Sequence, residues 1–376
     1  MINRIIVKNI NSIGTYEIDF KKGNYKFLEE NTINDLVNPI AIYGYNGSGK
    51  SSFFKAIAQF ISFLVSIPDS LAPFLVNQFE FENYFTGNKD ISKVTGSIEI
   101  YFTLNNYNYE YYFSTTNEKE VYIGLEKLIK DNKIIFSRSK DEYIFENKTN
   151  IISPGLIPIL RRLASTEINN DDIQRVYSYL SSFTFVDLPN INTGRFAVSK
   201  ILNNIPYIEL LTGHSKEVKE ILKEYKQFPV YEVLKDENKN SFSYPQSKYF
   251  VEIESKDFKG KLPFELVSNG MRNTSVLLSI LLSLPKNGAL FVDELEQALH
   301  PTALKSFIEI AKKKEIQLVF STHNTSILQE LRPDQVYFTK WDKGFTSIDR
   351  LSKIYPNIRE VNNIEKMYLS STFDRE

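Results

Sequence analysis

At 376 residues, with 42% hydrophobic and 24% charged positions, the chain is long enough to bury about three quarters of the surface its unfolded form exposes. Its 45 Lys and Arg against 46 Asp and Glu leave a formal charge of -1, so no global field steers it onto nucleic acid or an anionic membrane, although a local basic patch stays open. Cysteine is absent and histidine occurs 3 times, which excludes disulfides, thiolate catalysis, zinc–thiolate centres and poly-histidine metal sites; a metal must rest mainly on oxygen ligands.

The opening MINRIIVKNI lacks the apolar core of a signal peptide, and no apolar run is long and unbroken enough to cross a bilayer. The chain reads as soluble and cytoplasmic, with no membrane contact. Residues 2–20 alternate apolar and polar on both sides of Ser12-Ile13-Gly14, which predicts two strands joined by a turn. NPIAIYG (38–44) predicts a strand buried on both faces, and the apolar spacing from Ser51 to about Ile67 predicts a helix that stops before Pro68. From about 94 to 145 a period of two returns, with Asn-rich and Asp-Asn-Lys turns between antiparallel strands. GLIPILRRLASTE and SKEVKEILKEYKQF restore helical spacing between about 150 and 235, and YFVEIES (249–255) returns to strand. The last quarter alternates: helix 270–284, strand 289–295, helix 301–313, strand 316–322, a further helix, and a hairpin around Asp342-Lys343-Gly344.

These elements suggest an N-terminal lobe over 1–149, a helical insertion over 150–245, a C-terminal lobe over 246–350 and a tail over 351–376. The expected fold class is α/β, a mixed central sheet with an antiparallel β subdomain and an inserted helical region.

Four stretches carry chemistry. Gly44-Tyr45-Asn46-Gly47-Ser48-Gly49-Lys50-Ser51 matches the pattern G-x-x-x-x-G-K-[ST] and lies where that pattern requires, after a strand and opening a helix. Glycines let successive N–H groups and the helix N-terminus face the phosphates of a nucleotide such as ATP, with Ser52 in the helix's first turn. Lys50 would meet the β- and γ-phosphates, and the Ser51 hydroxyl would ligate Mg²⁺. Read blandly, the same stretch is a glycine-rich turn with a solvated lysine.

The apolar strand Ala289–Val292 runs into Asp293-Glu294, a metal-side carboxylate followed by a candidate base for the attacking water, with Glu296 as a rival base or a surface charge. The strand ending Val319-Phe320-Ser321-Thr322 delivers His323, which is either a γ-phosphate sensor with a catalytic part or an ordinary loop histidine. Ser268-Asn269-Gly270-Met271-Arg272 opens another apolar helix, a second anion-facing helix start or a plain helix cap.

The order of these pieces, phosphate loop, then S-x-G-x-R, then Asp-Glu, then His, resembles the P-loop NTPases of the ATP-binding-cassette (ABC) head type. Within them, IIVKNINSIGTYEIDF, DELEQALHP and RPDQVYFTKWDKG resemble the stand-alone SMC/RecF/OLD-like branch and the bacterial RloA/AbiL-like AAA family ATPases associated with phage defence. The resemblance implies an ATP-sandwiched homodimer or higher oligomer, hydrolysing Mg-ATP. Gly44, Asn46, Gly47, Ser48, Gly49, Lys50, Ser51, Ser52, Asp293, Glu294 and His323 would act in cis, and Ser268 with Gly270 would reach the γ-phosphate in trans. It implies a separate effector protein, a nuclease, in antiviral defence, and leaves nucleic acid as a possible partner. His300 falls in the dimer-contact segment. Two departures stand out: the signature reads VSNGMR, and the only candidate for a Gln-loop is Gln78. The competing reading is a nucleotide-dependent DNA clamp of the SMC/RecF type with little hydrolysis. A transporter subunit and a P-loop kinase fit less well, the first for want of a membrane-coupling loop and the second because of Ser268–Arg272.

Overall fold

The computed structural model describes residues 1–65, 95–117, 121–166, 170–188, 197–198, 207–226, 229–236, 250–257, 259–297, 299–342, 345–359 and 362–370. Gln78 lies outside them.

The predicted antiparallel region forms as a run of hairpins. Tyr107–Asn117 pairs with Thr95–Leu104 on one side and with Val121–Lys130 on the other, and Lys133–Arg138, Glu142–Phe145 and Lys148–Ile151 continue outward. The turn residues Asn105-Asn106, Asp131-Asn132 and Glu146-Asn147 all have positive φ. Two consecutive left-handed residues make the tight turn whose twist matches the flanking strands, and Asn and Asp tolerate it best. Thr95–Leu104 then pairs with Ile2–Ile10, and Ile2–Ile10 with Ile13–Asp19.

This wing continues without a break into a parallel block. Ile13–Asp19 adjoins Phe345–Arg350, which pairs with Val336–Asp342. Beyond it stand, in order, Ile40–Tyr43, Gln317–Ser321, Ala289–Asp293, Thr184–Asp187 and Ala197–Val198. From Val336–Asp342 to Thr184–Asp187 every pairing is parallel. The period of two therefore divides each strand between two cores. Ile40, Ile42, Phe291 and Val319 face one, with the helix Lys50–Leu64. Ala41, Tyr43, Leu290, Val292, Leu318 and Phe320 face the other, with the helices Asn269–Ser283 and Pro301–Lys313. Burial on both faces explains why these strands read as continuous apolar runs.

Residues 150–245 carry the expected helices Ile159–Ser165, Asp171–Ser181, Tyr207–Gly213 and Ser215–Glu224. They also carry Thr184–Asp187, a strand of the central sheet, and Glu232–Asp236, which joins Phe250–Glu254 and Lys261–Pro263 in a separate three-stranded sheet. A four-residue apolar run has no period of its own, so its place in the sheet comes from tertiary packing. After His323 the expected helix is a short 3-10 stretch, Thr325–Glu330, whose start is capped by the Asn324 side chain.

Candidate nucleotide site

Parallel strands deliver their C-terminal ends to one edge of a sheet, where ligands of open α/β folds bind. Here that edge receives Gly44 after Ile40–Tyr43, Asp293 at the end of its strand and, after Ser321, His323.

The loop 44–49 is packed from below by side chains of the neighbouring hairpin. A Cβ on Gly44 would collide with Thr339, and one on Gly49, whose φ is +91, would collide with Thr346. Both glycines are therefore required by space as well as by backbone angle. The Ser48 hydroxyl bonds that of Thr339, and Ser12 links Ser52 (3.0 Å) to Thr346 (2.8 Å). These contacts hold the start of Lys50–Leu64 on the hairpin. Lys50 is folded into the loop, its ammonium donating to the carbonyls of Gly44 (2.8 Å) and Tyr45 (3.1 Å). Burial holds its pKa below the usual lysine range, opposed by the charges of Asp293, Glu296 and Glu294.

Asp293 is buried, and its Oδ1 accepts a 2.5 Å hydrogen bond from the Ser321 hydroxyl, which in turn accepts from Glu294 N at 2.8 Å. The Ser51 side chain lies close enough to the same carboxylate to favour its ionised form. Desolvation raises the Asp293 pKa above the ordinary value, more than Ser321 and Ser51 lower it. Glu294 takes a left-handed φ of 55, unusual for a side-chain-bearing residue, and its carboxylate accepts from the Gln297 amide. Its pKa is likewise raised, by desolvation first and then by Asp293 and Glu296. The backbone N–H of His323 donates to Glu296 Oε1 at 2.9 Å. Desolvation and the Lys50 charge hold the His323 pKa below its usual value, so the imidazole is neutral at pH 7.

Lys50, Ser51, Asp293, Glu294, Glu296 and His323 thus form one electrostatically coupled group. Ser268 and Gly270 stand elsewhere, exposed at the start of Asn269–Ser283, where the Ser268 hydroxyl accepts from Met271 N at 3.3 Å. Arg272 reaches back to the carbonyls of Glu265 and Val267 and fixes this turn. His300 is exposed, and its carbonyl accepts from Ala303 N and Leu304 N as Pro301–Lys313 begins.

Sequence reading missed three residues of this edge. Ser321 bridges the two carboxylate positions, Gln297 holds Glu294, and Asp187 ends the strand beside Asp293, paired with it in register. Asp187 follows the run TFV, and a strand ending in an acidic residue was the one signal that could have found it. Beside the loop a cavity of about 660 Å³ is lined by Tyr45, Asn46, Phe338, Trp341 and Tyr368 among others, a size suited to a small organic ligand.

A phosphate loop between a central parallel strand and a helix, with acidic and histidine strand ends beside it, defines the P-loop NTPase class of fold. Residues 40–329 match the AAA_21 family, described as "AAA domain, putative AbiEii toxin, Type IV TA system", and the chain belongs to that family. No curated protein matches it. Among solved structures, an Smc head bound to the C-winged helix domain of ScpA is 15% identical over 93% of this chain and 97% of its own, with a TM-score of 0.52. The SMC head domain from Thermotoga maritima is 15% identical over 93% and 98%, with a TM-score of 0.48. At such identity the likeness to the Smc head is one of fold alone. Among the described residues no helix is long and apolar enough to cross a membrane.

Proposed function

We propose that this protein is an Mg-ATP-hydrolysing dimerisation switch that controls a separate effector protein. The observation that carries the reading is the coupling across the strand ends: a glycine loop packed against Thr339 and Thr346, Lys50 inside it, and the Ser51 side chain beside Asp293. The loop N–H groups and Lys50 would hold the β- and γ-phosphates, and Ser51 with Asp293 would hold Mg²⁺. The donor set fits that ion, since magnesium is usually bound by one or two carboxylates together with phosphate oxygens. Its chemistry there is to neutralise charge that develops on the transferred phosphoryl group. Glu294 is the base that takes a proton from the attacking water, and its raised pKa suits that task. Neutral His323, beside Lys50, would donate to the γ-phosphate.

Ser268 and Gly270, exposed on a separate helix start, are free to meet the nucleotide of a second copy. The Smc head of similar fold was solved with a winged-helix domain bound, which supports a partner-controlling role here. The AbiEii and toxin–antitoxin wording of the family description, together with the RloA/AbiL-like resemblance, supports a place in phage defence, with a nuclease as the effector and cytoplasmic location. The division at 149, 245 and 350 belongs to the same proposal.

The test is the light-scattering mass of the Glu294→Gln protein with and without Mg-ATP, alongside Lys50→Ala. An ATP-dependent doubling in Glu294→Gln, absent in Lys50→Ala, is expected. Trp341, the chain's single tryptophan, lines the cavity beside the loop, and its fluorescence is the readout chosen for nucleotide binding. A mass insensitive to ATP while Trp341 still responds to it would sink the switch and leave only a nucleotide-binding protein.

A further inference from the structure

Thr184–Asp187 and Ala289–Asp293 run parallel with Thr184 opposite Leu290 and Asp187 opposite Asp293. Neighbouring strands lie about 4.8 Å apart, and residues in register on parallel strands point to the same face. Two carboxylates are therefore side by side at the C-terminal edge, on the last residue of each strand, in contact with the field of Glu294 as well. Like charges that close repel each other, and a cation held between them would relieve that repulsion. Lys50 attracts Asp293, but its ammonium already donates to the carbonyls of Gly44 and Tyr45. Among the described residues no three His, Cys, Asp or Glu side chains converge as a self-sufficient metal site. A divalent cation here would need a hydroxyl and phosphate oxygens besides carboxylates, and Ser51, next to the phosphate loop in the chain, lies beside Asp293.

Resting on the nucleotide-site reading above, we infer that Asp187 is the second carboxylate of the divalent-cation site, acting with Asp293 and Ser51. Its role is to hold the cation or the cation's water from the strand next to Asp293. The two-carboxylate arrangement makes cation affinity at this site depend on a residue that belongs to none of the recognised motifs. It also ties the segment around Thr184–Asp187, packed directly against Lys50–Leu64, to the loading state of the site.

Mn²⁺ binding, read by the electron paramagnetic resonance signal of the free ion in the presence of a non-hydrolysable ATP analogue, tests this without recourse to activity. Asp187→Asn is expected to weaken Mn²⁺ uptake by about 10-fold or more, the usual cost of removing a supporting ligand. Nucleotide affinity in EDTA, followed by Trp341 fluorescence, should be unchanged, and Asp187→Glu should restore most of the Mn²⁺ affinity. Thermal melting of each variant separates loss of a ligand from loss of fold. Asp187→Asn with wild-type Mn²⁺ affinity, while Asp293→Asn loses it, would show that the pair merely shares a proton and would overturn the inference. Failure of the wild-type protein to bind the analogue at all would instead bring down the nucleotide-site reading, and the inference with it.

Discussion

The pair Arg332–Asp334 and the group Asp293, Glu294 and Glu296 both bring charge close to the interior, and they are finished differently. Arg332 and Asp334 are almost completely buried, and each polar group has a partner. The guanidinium makes two bonds to the Asp334 carboxylate (3.0 and 2.9 Å) and one to the Gly23 carbonyl (3.1 Å), and Gly23 N donates back to Asp334 at 2.6 Å. Gln335, next in the chain, bonds Asn31, Pro39 and the Arg332 backbone. The second group stacks carboxylates on one another: desolvation raises Asp293 and Glu294, each is raised further by an acidic neighbour, and Glu296 Oε2 is buried with no hydrogen-bond partner. A satisfied buried pair holds the chain in place; a group of neighbouring like charges is suited to receive something positive or something with a proton to give.

The contrast can be broken from either side. The largest effect belongs to Glu294→Gln: removal of the base should lower ATP turnover by about 10²–10⁴-fold while Trp341 fluorescence still reports nucleotide binding. Steady-state phosphate release measures it, and wild-type turnover would move the role of base to Glu296. On the structural side, Arg332→Ala strands Asp334 as an unpaired buried charge and should cost about 3–5 kcal/mol in chemical denaturation. A loss under about 1 kcal/mol would mean that water reaches the pair.

The pH response sharpens the comparison further. Burial keeps Asp293 protonated to higher pH than an ordinary carboxylate near 4. Cation binding needs the ionised form, so turnover should fall on acidification with a midpoint above about 4, seen in initial rates between about pH 4 and 8. The smallest effect is on stability. Because the folded pKa of Asp293 is raised, the ionised carboxylate destabilises the fold above that pKa, and the cost vanishes below the unfolded value near 3.9. Asp293→Asn should therefore melt at or slightly above the wild-type temperature at neutral pH, a change under about 1 kcal/mol, although it loses Mn²⁺. A strongly lowered melting temperature would place Asp293 with Arg332–Asp334 as a structural residue.

Much of the site was legible because its parts are local. A glycine loop with Lys50, an apolar strand ending in Asp-Glu and a strand ending before His323 each span fewer than about ten residues, within reach of periodicity and motif spacing. The Asn-rich hairpins were legible for the same reason, since a tight turn demands particular residues at two adjacent positions. The places of RPDQ and TFVD in the fold were not. In RPDQ the sequence shows a charged, proline-containing loop, and only the fold buries Arg332 and Asp334 against Gly23 and Gln335 against Pro39.

What the residues alone determine, then, is the set of elements and the glycine loop, because backbone angles, turn chemistry and burial on two faces act over short stretches of chain. Which strands become neighbours is decided by packing between distant segments. The helix Lys50–Leu64 fills one face of the sheet and Asn269–Ser283 the other, and Thr184–Asp187 finds its place only against Ala289–Asp293. That long-range pairing puts Asp187 beside Asp293, a proximity that no local pattern encodes.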